Sequence, residues 1–143
     1  MQALAETSIT KRVAAGDVLK DGDDALIETQ IDGYSTTGFT INGVIVPGPV
    51  LLLPQASFLF EVGSLAELTP RSLEVLRLLK PPVELLVVGT GRRLKPLPAA
   101  VEEWLGELAI APEAVPTQHA CSTFNFMVGE DRQVAAVLFP YGQ

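Results

Sequence analysis

Residues 82–98 read PVELLVVGTGRRLKPLP, and that stretch leaves few folds open to the chain. Val83, Leu85, Leu86, Val87 and Val88 form an almost unbroken apolar run, whereas a strand wetted on one side would alternate. Such a run needs cover on both faces, which predicts the central strand of a parallel or mixed sheet. It ends in Gly89-Thr90-Gly91, followed at once by Arg92, Arg93 and Lys95. In open α/β sheets ligands gather outside the carboxyl ends of the strands. Without side chains at Gly89 and Gly91, backbone amides there can approach a bound group.

The remaining segments supply layers for such a strand. Residues 1–24 show no steady apolar period, and Asp21-Gly22-Asp23-Asp24 reads as a solvated turn, so a partly flexible N-terminal segment is expected ahead of a single domain over residues 25–143. Ile27 and Ile31, set among Glu28 and Gln30, predict a strand over residues 25–31 that ends at Asp32-Gly33. Two apolar runs, 39–41 and 44–46, flank Asn42-Gly43, a pair that tolerates the positive φ angles of a tight hairpin turn. These pieces predict a small antiparallel β layer. Residues 50–53 are fully apolar and predict the first strand of the main sheet, stopped by Pro54, with a short extended segment at 58–62. A helix is expected after Thr69 and Pro70, with Leu68 reaching Leu73, a stripe of Leu73, Leu76 and Leu79, and a stop at Pro81-Pro82. Val101, Trp104, Leu105 and Leu108 follow the i, i+3, i+4, i+7 spacing of a helix from about Ala99, with Glu102, Glu103 and Glu107 opposite. A strand at 110–115, a helix opened by Thr117 and stopped at Gly129, and a strand at 134–139 complete the alternation.

Charge and cysteine content exclude whole classes of function. A net charge of −7 opposes binding to nucleic acid and to anionic membrane surfaces, because both need clustered cations. The single cysteine, Cys121, permits no internal disulfide and no metal-ligand cluster, so a reducing compartment is expected. The greasiest stretch, 44–53, is broken by Pro47, Gly48 and Pro49, so no membrane span is expected. The start of the sequence shows neither a secretory signal nor a transit peptide, which makes the cytoplasm the expected location.

In the last third, Thr117-Gln-His-Ala-Cys-Ser-Thr-Phe-Asn125 and then Glu130-Asp-Arg-Gln-Val-Ala-Ala-Val-Leu138 resemble the signature of a small family of uncharacterised proteins, whose eukaryotic branch includes the mitochondrial complex I assembly factor 3. Gly33-Tyr34, Phe39, Pro54, Leu68-Thr69 and Gly89-Thr90-Gly91 also fall in family order, so the resemblance covers about residues 27–140. It implies a three-layer α/β fold: a mixed five-stranded sheet with one antiparallel strand, helices, and an additional N-terminal antiparallel β layer. It brings no established enzymatic activity, and no cofactor is expected. Its functional content is a role, in one branch, in building a membrane-bound respiratory complex through protein contacts. A protein partner in a respiratory or export complex is therefore expected here, and the expected absence of a transit peptide points to a bacterial member.

Candidate chemistry concentrates at the glycine loop. Gly89, Thr90 and Gly91 with Arg92 and Arg93 form a candidate anion cradle, with Thr117 offering a further hydroxyl; the other reading is a tight strand-to-helix connection with solvated cations. Leu94 stands where a dinucleotide fingerprint would place its third glycine. His119 and Cys121 lie two apart on a helix, an offset that does not bring side chains together, so a nucleophile pair is not expected and Cys121 reads as core. Thr117 also reads as an N-cap, and Thr123 or Asn125 as partners for backbone of a neighbouring layer. Glu130 and Arg132 are expected to pair across a turn. Two functions stay open: an adaptor or assembly factor acting through protein contacts, and a binder of a small anion at the glycine loop.

Overall fold

Leu51, Leu86, Val88, Ala135 and Val137 point to one side of a sheet, and Val50, Leu52, Val87, Val134, Ala136 and Leu138 to the other, all of them buried. This two-sided burial sets the layering of the computed structural model, which describes residues 9–12 and 27–143. The strands are β1 (Ile9–Arg12), β2 (Ile31–Tyr34), β3 (Gly38–Ile41), β4 (Val44–Pro47), β5 (Val50–Leu53), β6 (Ala56–Phe60), β7 (Leu85–Gly89), β8 (Ala111–Val115) and β9 (Val134–Leu138). Two α-helices, α1 (Ala99–Glu107) and α2 (Thr117–Gly129), lie between the later strands.

The main sheet runs β1-β6-β5-β9-β7-β8. Its five strands from β6 to β8 form the expected mixed sheet: β9, β7 and β8 are parallel, and β5 alone opposes its neighbours β9 and β6. β1, from the segment read as lacking a period, adds a further antiparallel strand beside β6. The expected turn at Asp21-Gly22-Asp23-Asp24 and residues Ala25 and Leu26 lie outside the described residues. β7 is flanked on both sides, as its apolar run required, but it stands one strand in from the edge, and β9 and β5 occupy the middle. The edge strand β8 directs the Ala111 N–H inward to the Glu84 carbonyl at 3.0 Å, so the nitrogen of the next residue, Pro112, faces the open side.

The face bearing Leu86 and Val88 is covered by α1, through Val101 and Leu105, and by two 3₁₀ segments, Leu65–Glu67 and Arg71–Leu78. A helix was expected in the second of these. Thr69 does accept the Ser72 N–H (3.2 Å), but the Ser72 hydroxyl returns to the Thr69 carbonyl (2.6 Å) and tightens the turn. Leu73 then leaves helical angles (φ −108°, ψ 15°), which allows Leu73, Val75 and Leu76 all to be buried where a regular α-helix would turn one of them out.

The opposite face is covered by α2, through Ala120, Cys121, Phe124 and Val128, and by the small sheet β2-β3-β4, through Ile31, Phe39, Ile41 and Val46. Asn42 (φ 48°) and Gly43 (φ 81°) make the predicted hairpin turn between β3 and β4. The first strand of this layer is displaced from the predicted position: it begins at Ile31 rather than ending there, and Asp32 and Gly33 lie inside it. The backbone before it is spent elsewhere. Thr29 N–H donates to the Pro54 carbonyl (2.7 Å) and its hydroxyl to that of Leu53 (2.6 Å), while Asn42 engages Glu28 and Gln30. Those bonds tie residues 28–30 to the β5–β6 turn and to the hairpin, leaving none for a ladder.

Asn125 of α2 locks the layers together. Its side-chain oxygen accepts the Ile31 N–H and its amide donates to the Ile31 carbonyl, both at 2.9 Å. The expected role for Asn125 is therefore observed. Asn125→Ala removes both partners of the Ile31 backbone, and because Asn125 itself is only half-buried, a loss of about 1–3 kcal/mol is expected in urea unfolding. Faster amide exchange in β2–β4 than in α1 is the accompanying sign.

Candidate functional site

β7 delivers Gly89-Thr90-Gly91 to the carboxyl edge of the sheet, where the loop meets the start of α2 and the end of β9. Its polar groups are turned inward. Thr90 N–H donates to the Val115 carbonyl (2.9 Å) and its hydroxyl to that of Arg93 (2.6 Å). Gly91 N–H donates to Thr117 Oγ1 (2.8 Å), Thr117 N–H returns to the Gly91 carbonyl (2.8 Å), and the Thr117 hydroxyl donates to the Phe139 carbonyl (2.7 Å). Thr117 is wholly buried. Its hydroxyl has spent its one proton on Phe139, so Thr117 closes the loop and is neither the ligand donor nor the N-cap that its sequence position suggested; Pro116 holds the cap position.

The glycines are required for this closure. A Cβ on Gly89 would stand 3.0 Å from Leu138 Cδ2 and from Thr117 Oγ1, and Gly91 adopts a φ of +103° with its missing Cβ aimed at the Gln143 carbonyl, 2.7 Å away. What the loop presents outward is its next segment. Arg92, Arg93, Leu94 and Lys95 are all exposed, and none of the three cations forms an ion pair among the described residues. The Arg92 guanidinium lies 4.8 Å from the centroid of the Tyr141 ring, and Tyr141 lies 5.6 Å from Tyr34 at 38°. Tyr141 reaches the loop from the C-terminal tail, and Tyr34 of β2 lies against Tyr141. Pattern reading missed them because neither belongs to a periodic segment; an aromatic directly after Pro140 was the one available signal.

The other candidates separate. Cys121 packs in the core, and burial pushes its thiol up to about 12. His119 is exposed on the first turn of α2, away from that thiol's buried side of the helix. Between the ordinary thiol range and about 12 the unfolded chain would carry a thiolate while the folded one keeps its proton, so stability falls as pH rises through that window. At pH 8 a thiol reagent such as DTNB is expected to leave the native protein unlabelled and to react with one thiol per chain in denaturant. Glu130 does not pair with Arg132. Arg132 reaches Glu84 instead, at 3.0 Å, because its own backbone turns back to the Met127 carbonyl. Thr123 is half-buried on α2. No group of three or more metal-ligating side chains occurs among the described residues, and no helix there is long and apolar enough to cross a membrane.

A cleft of about 410 Å³ opens at the opposite, amino-terminal end of β7, lined by Leu53, Pro54, Leu79, Lys80, Val83 and Arg132 among others. Sequence reasoning did not anticipate it, since its walls come from three separate turns.

Comparison with known proteins matches this architecture and sequence together. A zebrafish (Danio rerio) protein named NADH dehydrogenase (ubiquinone) 1 alpha subcomplex assembly factor 3 is 44% identical over 117 residues, 82% of this chain and 67% of that protein. The human protein of the same name is 42% identical over 110 residues, 77% of this chain, and the chain spans only 60% of its length. An uncharacterised protein of Rhodobacter capsulatus is 30% identical over 110 residues, 77% of this chain and 83% of that protein. Among solved structures, one described as an outer membrane protein from Bartonella henselae superposes with a TM-score of 0.73 at 28% identity, over 79% of this chain and 95% of that one. A Mth938-like domain of Bordetella pertussis shares the fold, with a TM-score of 0.72 at 24% identity over 85% of this chain and 91% of that one. These bacterial neighbours agree with the expectation of a bacterial member. The family model described as protein of unknown function (DUF498/DUF598) matches residues 31–139, from the first residue of β2 to the residue after β9, and the chain belongs to that family.

Proposed function

We propose that this protein is a non-catalytic adaptor of the cytoplasm that helps to assemble a membrane-bound respiratory or export complex through direct protein contacts. The observation that carries this reading is its likeness, across most of its length, to proteins named as assembly factors of NADH dehydrogenase. The loop geometry supports it: the amides of Thr90 and Gly91 are consumed within the fold, and what faces outward is Arg92, Leu94 and the tyrosine pair, residue types that suit a protein contact. The test is recovery of the tagged protein from its native cells in mild detergent. Stoichiometric subunits of a membrane complex are expected in the eluate; a protein that consistently elutes alone would defeat the reading.

A second reading rests on the three unpaired cations after β7. There, Gly89-Thr90-Gly91 serves to position Arg92 and Arg93 for a small anion such as inorganic phosphate. It predicts a phosphate-dependent rise in Tm that vanishes on Arg92→Glu plus Arg93→Glu, whereas the adaptor reading predicts no rise in either protein.

A further inference from the structure

We infer that the exposed segment 92–95 and the Tyr34–Tyr141 pair together form a docking surface for an acidic peptide segment of a partner protein, an inference that rests on the adaptor reading above. The chain carries 17 carboxylates against 10 lysines and arginines, yet three of those cations fall within the four residues Arg92, Arg93, Leu94 and Lys95. Arg77 and Arg132 are neutralised by Glu74 and Glu84; these three are not paired with any described carboxylate. A concentrated positive patch on an acidic protein attracts carboxylates and repels most other copies of the same surface.

Geometry narrows the occupant further. Tyr141 is fixed because the tail that carries it is tied down, Gly142 N–H to the Thr36 carbonyl (3.0 Å) and Gln143 Nε2 to the Gly63 carbonyl (2.7 Å). The Arg92 guanidinium rests over that ring, 4.8 Å from its centroid, on an exposed residue, and a guanidinium so held can still offer its N–H fork to a carboxylate. Much of the entropy cost of ordering the side chain is thus met before a partner arrives. Leu94 (64% exposed) and Tyr34 (46% exposed) offer apolar contact beside the charge, which a free small anion would not use. An anionic bilayer would use both, but as an extended surface it would also meet the acidic remainder of a protein of net charge −7, offsetting the attraction of about 1 kcal/mol per cation. A short peptide segment meets the patch alone. An acidic segment with an apolar anchor satisfies every feature of the patch.

The experiment places the photo-cross-linker p-benzoylphenylalanine in the full chain at Leu94 or, as separate comparison proteins, at Glu103 and at Phe126, and irradiates native cells. Cross-linked peptides are then sequenced. The Leu94 probe is expected to capture one protein segment markedly richer in Asp and Glu than the rest of that partner. Its yield should fall by about tenfold or more with Arg92→Glu plus Arg93→Glu, both exposed and harmless to folding, and several-fold with Arg92→Lys, which keeps the charge but not the planar fork. Capture of a segment with no acidic excess, capture of lipid alone, or a yield indifferent to charge reversal would overturn the inference. If Glu103 or Phe126 captures a partner and Leu94 none, this surface falls while the adaptor reading stands. If no position captures protein, both fall.

Discussion

Thr117→Val is expected to cost the fold roughly 2–6 kcal/mol, because each of the two buried backbone groups it orphans costs about 1–3 kcal/mol. Valine keeps the shape of threonine and removes only the hydroxyl. The Gly91 N–H and the Phe139 carbonyl, 2.8 Å and 2.7 Å from that oxygen, would then have no partner in a site that excludes water. The loss should appear as a Tm lower by roughly 10 °C and a matching shift of the urea midpoint. Thr117→Ser, which retains the oxygen, should recover most of it. Stability within about 1 kcal/mol of wild type for the valine protein would mean that the loop is not held by this hydroxyl.

Phe124→Ala should be of similar size, about 3–5 kcal/mol, as for other large-to-alanine changes in a packed core. Phe124 is fully buried on α2, in the apolar cluster shared by Val87 and Ala136 of the main sheet and Phe39 and Ile41 of the small one. The cavity therefore opens between layers. Amide exchange should accelerate in β2–β4 and α2 well before it does in α1, which packs on the other side of the sheet. Uniform acceleration in all elements would show instead that the two faces unfold as one unit.

The elements that were legible in the sequence are those whose own residues carry the signal. Residues 83–88 announced a doubly covered strand, Val101 to Leu108 a helix, and Asn42-Gly43 a turn, and each signal depends on neighbours within a few positions. The helix expected after Thr69 failed through a local bond from Ser72, but two other failures involve partners far away in the chain. Thr29 leaves the expected strand for Leu53, 24 residues on, and Arg132 abandons Glu130 for Glu84, 48 residues back. The same distance governs the candidate site. Glycines, cations and Thr117 were visible as types, but whether the Thr117 hydroxyl faces a ligand or the fold is decided by Phe139, and the aromatic support of Arg92 comes from two segments that no spacing rule connects. Asn125 was readable because a polar residue on an apolar helix face must find a partner, even though Ile31 is 94 positions distant.

The proline of β8 bears on how this protein avoids unwanted company. An open strand edge is a template on which other chains polymerise, and a missing donor at Pro112, on the outward side, interrupts the row of hydrogen bonds that a fibril or an added strand would need. On the adaptor reading proposed above, the protein would meet many exposed edges on unfinished subunits. With this border blunted, association there must proceed through side chains, which choose their partners, rather than through backbone, which does not.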